Sequence, residues 1–343
     1  MATIVEVAAL AGVSTSTVSH VLNETRHVEP ATRRRVMDAI EKTSYRQDAL
    51  ARAMRRSRTD SIGLVIPDAG EPAFAEMVHG VEQAAAKLGL TLLLSNSAES
   101  AEREAKAVKV LLERRVDGLI LARSANSSES IIDELKNESA AVVLLDRMSP
   151  SSPFDQVGTE NRQPMRSLVS HLVDAGHRRM VLVAGDRRVS TLRERADGFT
   201  IGVIEAGLDP SDQIVIASNG PENPLAAEIA KAIDDPRGPT AFIACSTVLA
   251  VATLEQLKAA NKRIPRDVAF ATFDGFSHSD LFEPSITTVR QPALEVGIAA
   301  VDLLKDRLAG STSMPRIVHL EQSIEYREST RGYRFGAHPD ETI

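Results

Sequence analysis

The sequence predicts an α/β protein in which a small helical head precedes a two-lobed body of parallel sheets. Residues 1–45 place apolar residues at helical spacing and contain no strand-like run. From residue 61 onward, short apolar runs alternate with amphipathic stretches, the rhythm of βαβ units whose strands are buried on both faces. That rhythm restarts after residue 160, so two lobes with a cleft between them are expected. A length of 343 residues suits two or three domains. The expected limits are a head at 1–46, a linker at 47–60 and a body at 61–330. Within the body, one lobe takes about 61–160 and part of 292–325, the other about 161–291.

In the head, Thr3 followed by Glu6 is a capping-box signal for a first helix, with Val5, Ala8 and Ala9 as its apolar face. Gly12 breaks that helix. Ser14 caps a second, with Val18, Val21 and Leu22 inside. Pro30 suits the first turn of a third, whose inner face is Val36, Ala39 and Ile40, and Tyr45 ends the unit. From Val5 to Asn23 this is a helix-turn-helix pattern. Ala8 is small where two helices cross, Gly12 permits the tight turn, and Val13, Val18 and Val21 fill the wedge. Thr15, Ser16 and His20 then project from the second helix toward base edges in a major groove. Thr17 and Ser19 are placed for phosphates, which position without specifying. Residues 48–57 are too short and polar for a core of their own and read as a linker with helical potential that folds on contact with DNA.

In the body, strands are expected at 61–67, 90–97, 118–122 and 141–146, with helices at 73–88, 99–114 and near 128–137. The second half offers strands at 180–185, 213–218, 241–246 and 268–274. Segments 287–292 and 316–326 are expected to cross back to the first lobe. Ligands in such sheets sit beyond the carboxyl ends of strands. Phe74, Asp146, Arg147 and Asp274 all fall at or just after such ends, where a ring can stack and charged groups can make bidentate hydrogen bonds.

The net charge of −7 conceals an asymmetry. Residues 1–60 carry 10 Lys and Arg against 7 Asp and Glu, and the remainder 30 against 40. A basic head on an acidic body is the footprint of a small DNA-binding unit. The single cysteine, Cys245, excludes a disulfide framework and fits a reducing compartment. Residues 1–12 lack a basic start followed by an apolar core, and no apolar run is long enough for a bilayer, so a cytoplasmic protein with no membrane partner is expected. Phosphate-binding glycine loops, metal clusters and serine-hydrolase elbows are not found, so no catalytic residue, metal or cofactor is expected. His171 and His177, flanking a helix end, read as capping or surface groups, and Cys245 as a buried strand residue.

The stretch TIVEVAALAGVSTSTVSHVLN (3–23) resembles the head of the lactose/galactose-repressor family of transcriptional regulators, known as LacI/GalR. The resemblance continues through RHVEPATRRRVMDAIEKTSY (26–45) and, more thinly, to about residue 330, with landmarks at 115–121, 176–185, 195–199, 264–274 and 284–292. It implies a body like the type I periplasmic sugar-binding proteins, and a homodimer that binds near-palindromic, double-stranded operator DNA under control of a small-molecule effector. It adds Thr3, Ser14, Asn23, Arg26 and His27 to the DNA-facing set. It also implies a hinge helix whose apolar wedge, Met54 where the family usually has leucine, unstacks a base step in the minor groove, with Arg52, Arg55 and Arg56 on phosphates. Gln47 and Asp48 depart from the proline and asparagine common there. Arg195 matches the family's ligand-binding arginine.

Two departures bear on the effector. Ser246 and Thr247 replace an Asn-Asp pair, and no aromatic residue follows 213–218. Fewer stacking groups favour a sugar or polyol over a nucleoside or purine. The plainer alternatives are packing for Met54 and Phe74, a solvated charge run for Arg52, Arg55 and Arg56, and an interlobe salt bridge for the charged groups of the body. After residue 327 no leucine heptad follows, so a dimer without a helical tetramerisation tail is expected. A transport-type sugar-binding protein and an α/β enzyme are the competing readings; the head argues against the first, and the want of a catalytic constellation against the second.

Overall fold

The computed structural model of the chain describes residues 2–24, 26–45, 58–218, 225–276 and 278–331. It divides into two compact units, Met1–Thr59 and Asp60–Ile343.

The first unit holds α1 (Ile4–Ala11), α2 (Thr15–Asn23) and α3 (Pro30–Thr43). Both halves of the capping box form, with Glu6 N–H donating to Thr3 Oγ1 and Thr3 N–H to the Glu6 carboxylate. Gly12 ends α1 at φ 62, a left-handed conformation that costs a side-chain-bearing residue about 1 kcal/mol. The turn leaves α1 and α2 at 101°. Val7, Ala8, Ala11, Val18, Val21, Val36 and Ala39 make the core. The inner face of α1 is therefore not Val5, Ala8 and Ala9. Because the helix begins at Ile4, its period sets Ile4, Val7, Ala8 and Ala11 in one stripe, and Val5 is 63% exposed.

The second unit alternates strands and helices. Its first half runs β1 (Ser61–Ile66), α4 (Pro72–Lys87), β2 (Thr91–Asn96), α5 (Ala101–Glu113), β3 (Gly118–Leu121), α6 (Glu129–Lys136), β4 (Ala141–Leu145) and β5 (Asp155–Thr159). Its second half runs α7 (Arg162–Asp174), β6 (Met180–Gly185), α8 (Ser190–Glu205), β7 (Ile214–Ala217), α9 (Leu225–Ile233), β8 (Ala241–Ala244), α10 (Thr247–Ala259), β9 (Ala269–Phe273) and β10 (Thr287–Arg290). Then come α11 (Ala293–Leu308), β11 (Ile317–Leu320) and β12 (Ser323–Glu325). The strand orders are β11-β5-β4-β3-β1-β2 and β12-β10-β9-β8-β6-β7. All pairings are parallel except β10 with β12.

Three expectations need correction. Segment 287–292 does not cross back: β10 pairs with β9 in the second sheet, and the crossing follows it. Segment 316–326 splits, β11 joining the first sheet and β12 the second. The strands are not all buried on both faces, since β2 and β7 are edges where Leu94 and Val215 are 48% and 44% exposed. The chain thus passes between the sheets after β5, after β10 and after β11. In the first lobe α11 lies against α4 with almost no gap. A Cβ on Gly80 would stand 2.1 Å from the Leu294 carbonyl oxygen, and one on Gly297 2.2 Å from that of Met77, so each helix needs its glycine.

Candidate functional site

On α2, Ser14 is the N-cap and accepts from Thr17 N–H at 3.2 Å. Thr15, Ser16, Ser19, His20 and Asn23 then fall on one stripe by helical spacing, while Val18 and Val21 face the core. Thr15 and Ser16 are exposed; Thr17, Ser19, His20 and Asn23 are half-buried. Asn23 Nδ2 donates to the Ser19 carbonyl at 2.8 Å. Thr3, Arg26 and His27 are exposed. Met54 and Arg55, with Gln47, Asp48, Arg52 and Arg56, lie outside the described residues.

In the body, a cavity of about 530 Å³ opens at the carboxyl ends of both sheets, a size that suits a small metabolite. Phe74, Asp146, Arg147, Arg195 and Asp274 all line it. Asp274 follows β9 at φ 63, and its carboxylate takes Arg195 Nη1 at 2.8 Å and Nη2 at 3.3 Å. Arg195 also donates to the Cys245 carbonyl at 2.6 Å and to Asn161 Oδ1 at 2.9 Å, and its guanidinium stands 4.5 Å from the Phe273 ring. The side chains of this pair are 3% and 6% exposed. Both residues belong to the second lobe, so this ion pair is not an interlobe bridge.

Asp146 follows β4 at φ 62 and is buried. Its Oδ1 has no hydrogen-bond partner among the described residues. Burial pushes its carboxyl up to about 6, against the pull of Arg147 and Arg195. Arg147 is drawn elsewhere. It donates to Glu99 Oε2 and Oε1 at 2.9 and 2.5 Å and to the Arg123 carbonyl at 2.8 Å. Burial works against the Glu99 carboxylate, but Arg147 holds it below its usual range. Phe74 is buried in the first lobe's core and still lines the cavity, with the Arg147 guanidinium 5.7 Å from its ring. Packing and a place on the cavity wall are both true of it.

Several lining groups were not foreseen. Glu71, just ahead of Phe74 in the loop after β1, has Oε1 without a partner, and burial and the Asp274 charge push its carboxyl up to about 7. Gln291 donates to Asp274 Oδ1 at 2.8 Å and leaves its own Oε1 unpartnered. The rule that picked Phe74 and Asp274 applies to both, since each stands just past a strand.

The cavity is wired to the crossings between lobes. Asn161, Gln291 and Gln322 stand one at each. Asn161 Oδ1 accepts from Arg195 and, at 3.2 Å, from Gln322 Nε2, while Gln291 holds Asp274. The Arg195–Asp274 pair is thus hydrogen-bonded directly to Asn161 and Gln291, and through Asn161 to Gln322.

The histidines differ from expectation. His177 is wholly buried, donating or accepting at Thr240 Oγ1 over 2.9 Å, and burial brings it down to about 4. His171 meets Thr330 at 2.9 Å and packs on Tyr326. His177 is therefore not a surface group, whereas His171 is half-buried in the last turn of α7. Burial pushes the Cys245 thiol up to about 12. Among the described residues no cluster of three His, Cys, Asp or Glu could hold a metal ion, and no single helix is long and apolar enough to cross a membrane.

A helix-turn-helix unit and a two-lobed α/β body with a ligand-sized cavity define a ligand-responsive DNA-binding regulator. Residues 3–48 match the bacterial regulatory proteins, lacI family, and residues 169–330 the periplasmic binding protein-like domain. The chain is 32% identical over 96% of its length, and 99% of the relative's, to the HTH-type transcriptional repressor PurR of Aliivibrio salmonicida. It is similar to the transcriptional regulator CelR–cellobiose complex (TM-score 0.72, 29% identity, 96% of this chain and 100% of that one). It shares the fold of the lac repressor dimer bound to operator and the anti-inducer ONPF (TM-score 0.84, 24% identity, 96% and 99%). The chain belongs to the lacI family: it is a transcriptional regulator, not an enzyme, with a DNA-binding helix-turn-helix and an effector-binding body.

Proposed function

We propose that the chain is a repressor that binds a near-palindromic operator as a homodimer and answers to a small polyhydroxy effector, a sugar or polyol, in the body's cavity. The observation that carries this reading is a cavity lined by carboxylate and amide acceptors, Glu71, Asp146, Asp274 and Gln291, in a chain that also bears the helix-turn-helix. Hydroxyl groups are donors that such acceptors need. Cellobiose in the CelR complex is in keeping with a sugar. Thr15, Ser16 and His20 read bases; Thr3, Ser14, Thr17, Ser19, Asn23, Arg26 and His27 position the head on phosphates and sugars; Met54 is the minor-groove wedge, with Arg55 on a phosphate. Phe74, Asp146, Arg147, Arg195 and Asp274 bind the effector. The effector favours one arrangement of the lobes, and the Asn161, Gln291 and Gln322 connections carry that preference to the dimer.

The experiment is fluorescence anisotropy on DNA from the gene's own upstream region, with and without sugars, polyols, nucleosides and purines. Tight binding to one near-palindrome, falling steeply with salt and altered by a sugar or polyol, is expected. His20→Ala should cost about 1–3 kcal/mol on the specific site and relax base preference, while Met54→Ser should weaken specific binding and spare non-specific binding. No binding to any near-palindrome overturns the reading.

A further inference from the structure

The charges that face the cavity do not balance. Among the described residues, Asp68, Glu71, Glu99, Asp146, Asp186 and Asp274 line it, against Arg147, Arg188 and Arg195. Each arginine is already committed: Arg147 to Glu99, Arg188 to Asp186 at 2.5 Å, and Arg195 to Asp274. Three carboxylates are left over. Asp68 is exposed and accepts from Gly70 N–H at 2.9 Å. The other two are Glu71, half-buried, and Asp146, only 6% exposed, each with one carboxylate oxygen closed off from solvent and lacking a hydrogen-bond partner among the described residues.

A hydroxyl group satisfies one such oxygen but leaves its charge. A protonated amine supplies up to three donors and the missing positive charge together. We propose that the effector carries a positively charged nitrogen on a polyhydroxy frame, an amino sugar or amino polyol, recognised by Glu71 and Asp146. This deepens the reading of the body as an effector-binding unit and rests on it.

The protons give an independent signature. The groups that face Glu71 are Asp274, Arg195, Asp68 and the Thr247 N–H; those that face Asp146 are Arg147, Arg195, Asp274 and Glu194. With Glu71 near 7 and Asp146 near 6, part of the population of the empty cavity holds protons at neutral pH. An ammonium group that pairs with these carboxylates stabilises their charged forms and expels those protons. A neutral sugar at the same place does not.

The test is titration calorimetry of the full chain near neutral pH with matched pairs: glucosamine and glucose, galactosamine and galactose, 1-amino-1-deoxysorbitol and sorbitol, with glucose 6-phosphate as the anion. Repeating it in buffers of different ionisation enthalpy counts protons. The amine of at least one pair should bind about tenfold or more tighter than its neutral partner, with net proton release. That advantage should vanish in both Glu71→Gln and Asp146→Asn, and far-ultraviolet circular dichroism of the same variants shows that they are folded. The inference fails if the neutral partners bind as tightly, if no amine binds, or if the advantage survives both substitutions. It fails also if the phosphate binds better, as it would through the arginine-rich recess of Arg123, Arg188 and Arg193 beside the cavity. Specific operator binding with release by a neutral polyol sinks this inference and leaves the proposed function standing. The absence of any operator binding sinks the proposed function, while the calorimetry still reads the cavity.

Discussion

The two lobes place an aspartate in the same backbone frame and treat it differently. Asp146 after β4 and Asp274 after β9 have φ of 62 and 63. Each N–H donates to the neighbouring strand, to Val157 at 2.8 Å and Val289 at 2.9 Å. Each sits in a turn closed from the next residue to the one before, Arg147 N–H to the Leu145 carbonyl at 2.6 Å and Gly275 N–H to that of Phe273 at 2.7 Å. A left-handed aspartate costs about 1 kcal/mol and persists where the surroundings hold it, often at a functional site. Yet Asp274 is neutralised by Arg195 and bound by Gln291, whereas Asp146 has a free oxygen while the arginine beside it turns to Glu99. The duplicated fold sets where the carboxylate stands, and its neighbours set what charge it can bear.

The largest expected effect follows from that contrast. Asparagine is isosteric with aspartate and tolerates the left-handed conformation, so the same substitution can be made in both lobes. Asp274→Asn strips the counter-charge from a guanidinium that is 3% exposed and should destabilise the protein by about 3–5 kcal/mol. Asp146→Asn removes a charge the protein leaves uncompensated, and near neutral pH it should be neutral or stabilising. Urea unfolding at one protein concentration decides the matter. Equal losses in the two variants would break the comparison.

The second effect is on pH. The folded-state carboxyl of Asp146 is raised from 3.8 to about 6. Below the lower value both folded and unfolded chains hold the proton, and its contribution is complete. Between the two values only the folded chain holds it, so stability falls as pH rises and the contribution is lost above about 6. Glu71, raised to about 7, extends the decline further. Relative to wild type, Asp146→Asn should therefore gain melting temperature as pH rises through this window and be flat outside it. A difference that does not change with pH would mean that Asp146 is ionised at no cost.

Much of this lay in the sequence, and what did not has physical causes. Alternating apolar runs gave away most strands because parallel strands are buried on both faces. β5 escaped because Asp155-Gln-Val-Gly-Thr159 is polar by composition yet buried throughout. Its Asp155 is held by Arg307 at 2.8 Å and by Arg316, from residues about 150 positions away. Position past a strand end was enough to pick Phe74, Asp146, Arg147 and Asp274, and family resemblance to pick Arg195; all five meet at one cavity. Which carboxylate is paired was not legible, because it depends on where Arg147 points, and a sequence holds no rotamers. The helix-turn-helix was the most legible part, since its caps and spacing are local, although the inner face of α1 was misjudged by one residue.

The smallest effect tests that choice of rotamer. Glu99 is 42% exposed at its side chain, so its pair with Arg147 is worth little by itself, and Glu99→Gln should cost about 1 kcal/mol or less. The informative readout is again the pH profile. Arg147 is held by Glu99 and by the Arg123 carbonyl; with the carboxylate gone, its charge is left to act on the adjacent, buried Asp146, which it already pulls down. The Asp146 carboxyl should then fall toward its usual range, and the decline in stability with rising pH should shrink toward that of Asp146→Asn. The double variant should add nothing to the flattening that Asp146→Asn gives alone, because the two changes act on one titration. If Glu99→Gln leaves the wild-type pH slope intact, then burial alone, not the capture of Arg147, holds the first lobe's aspartate above its usual range, and the two lobes differ in depth and not in pairing.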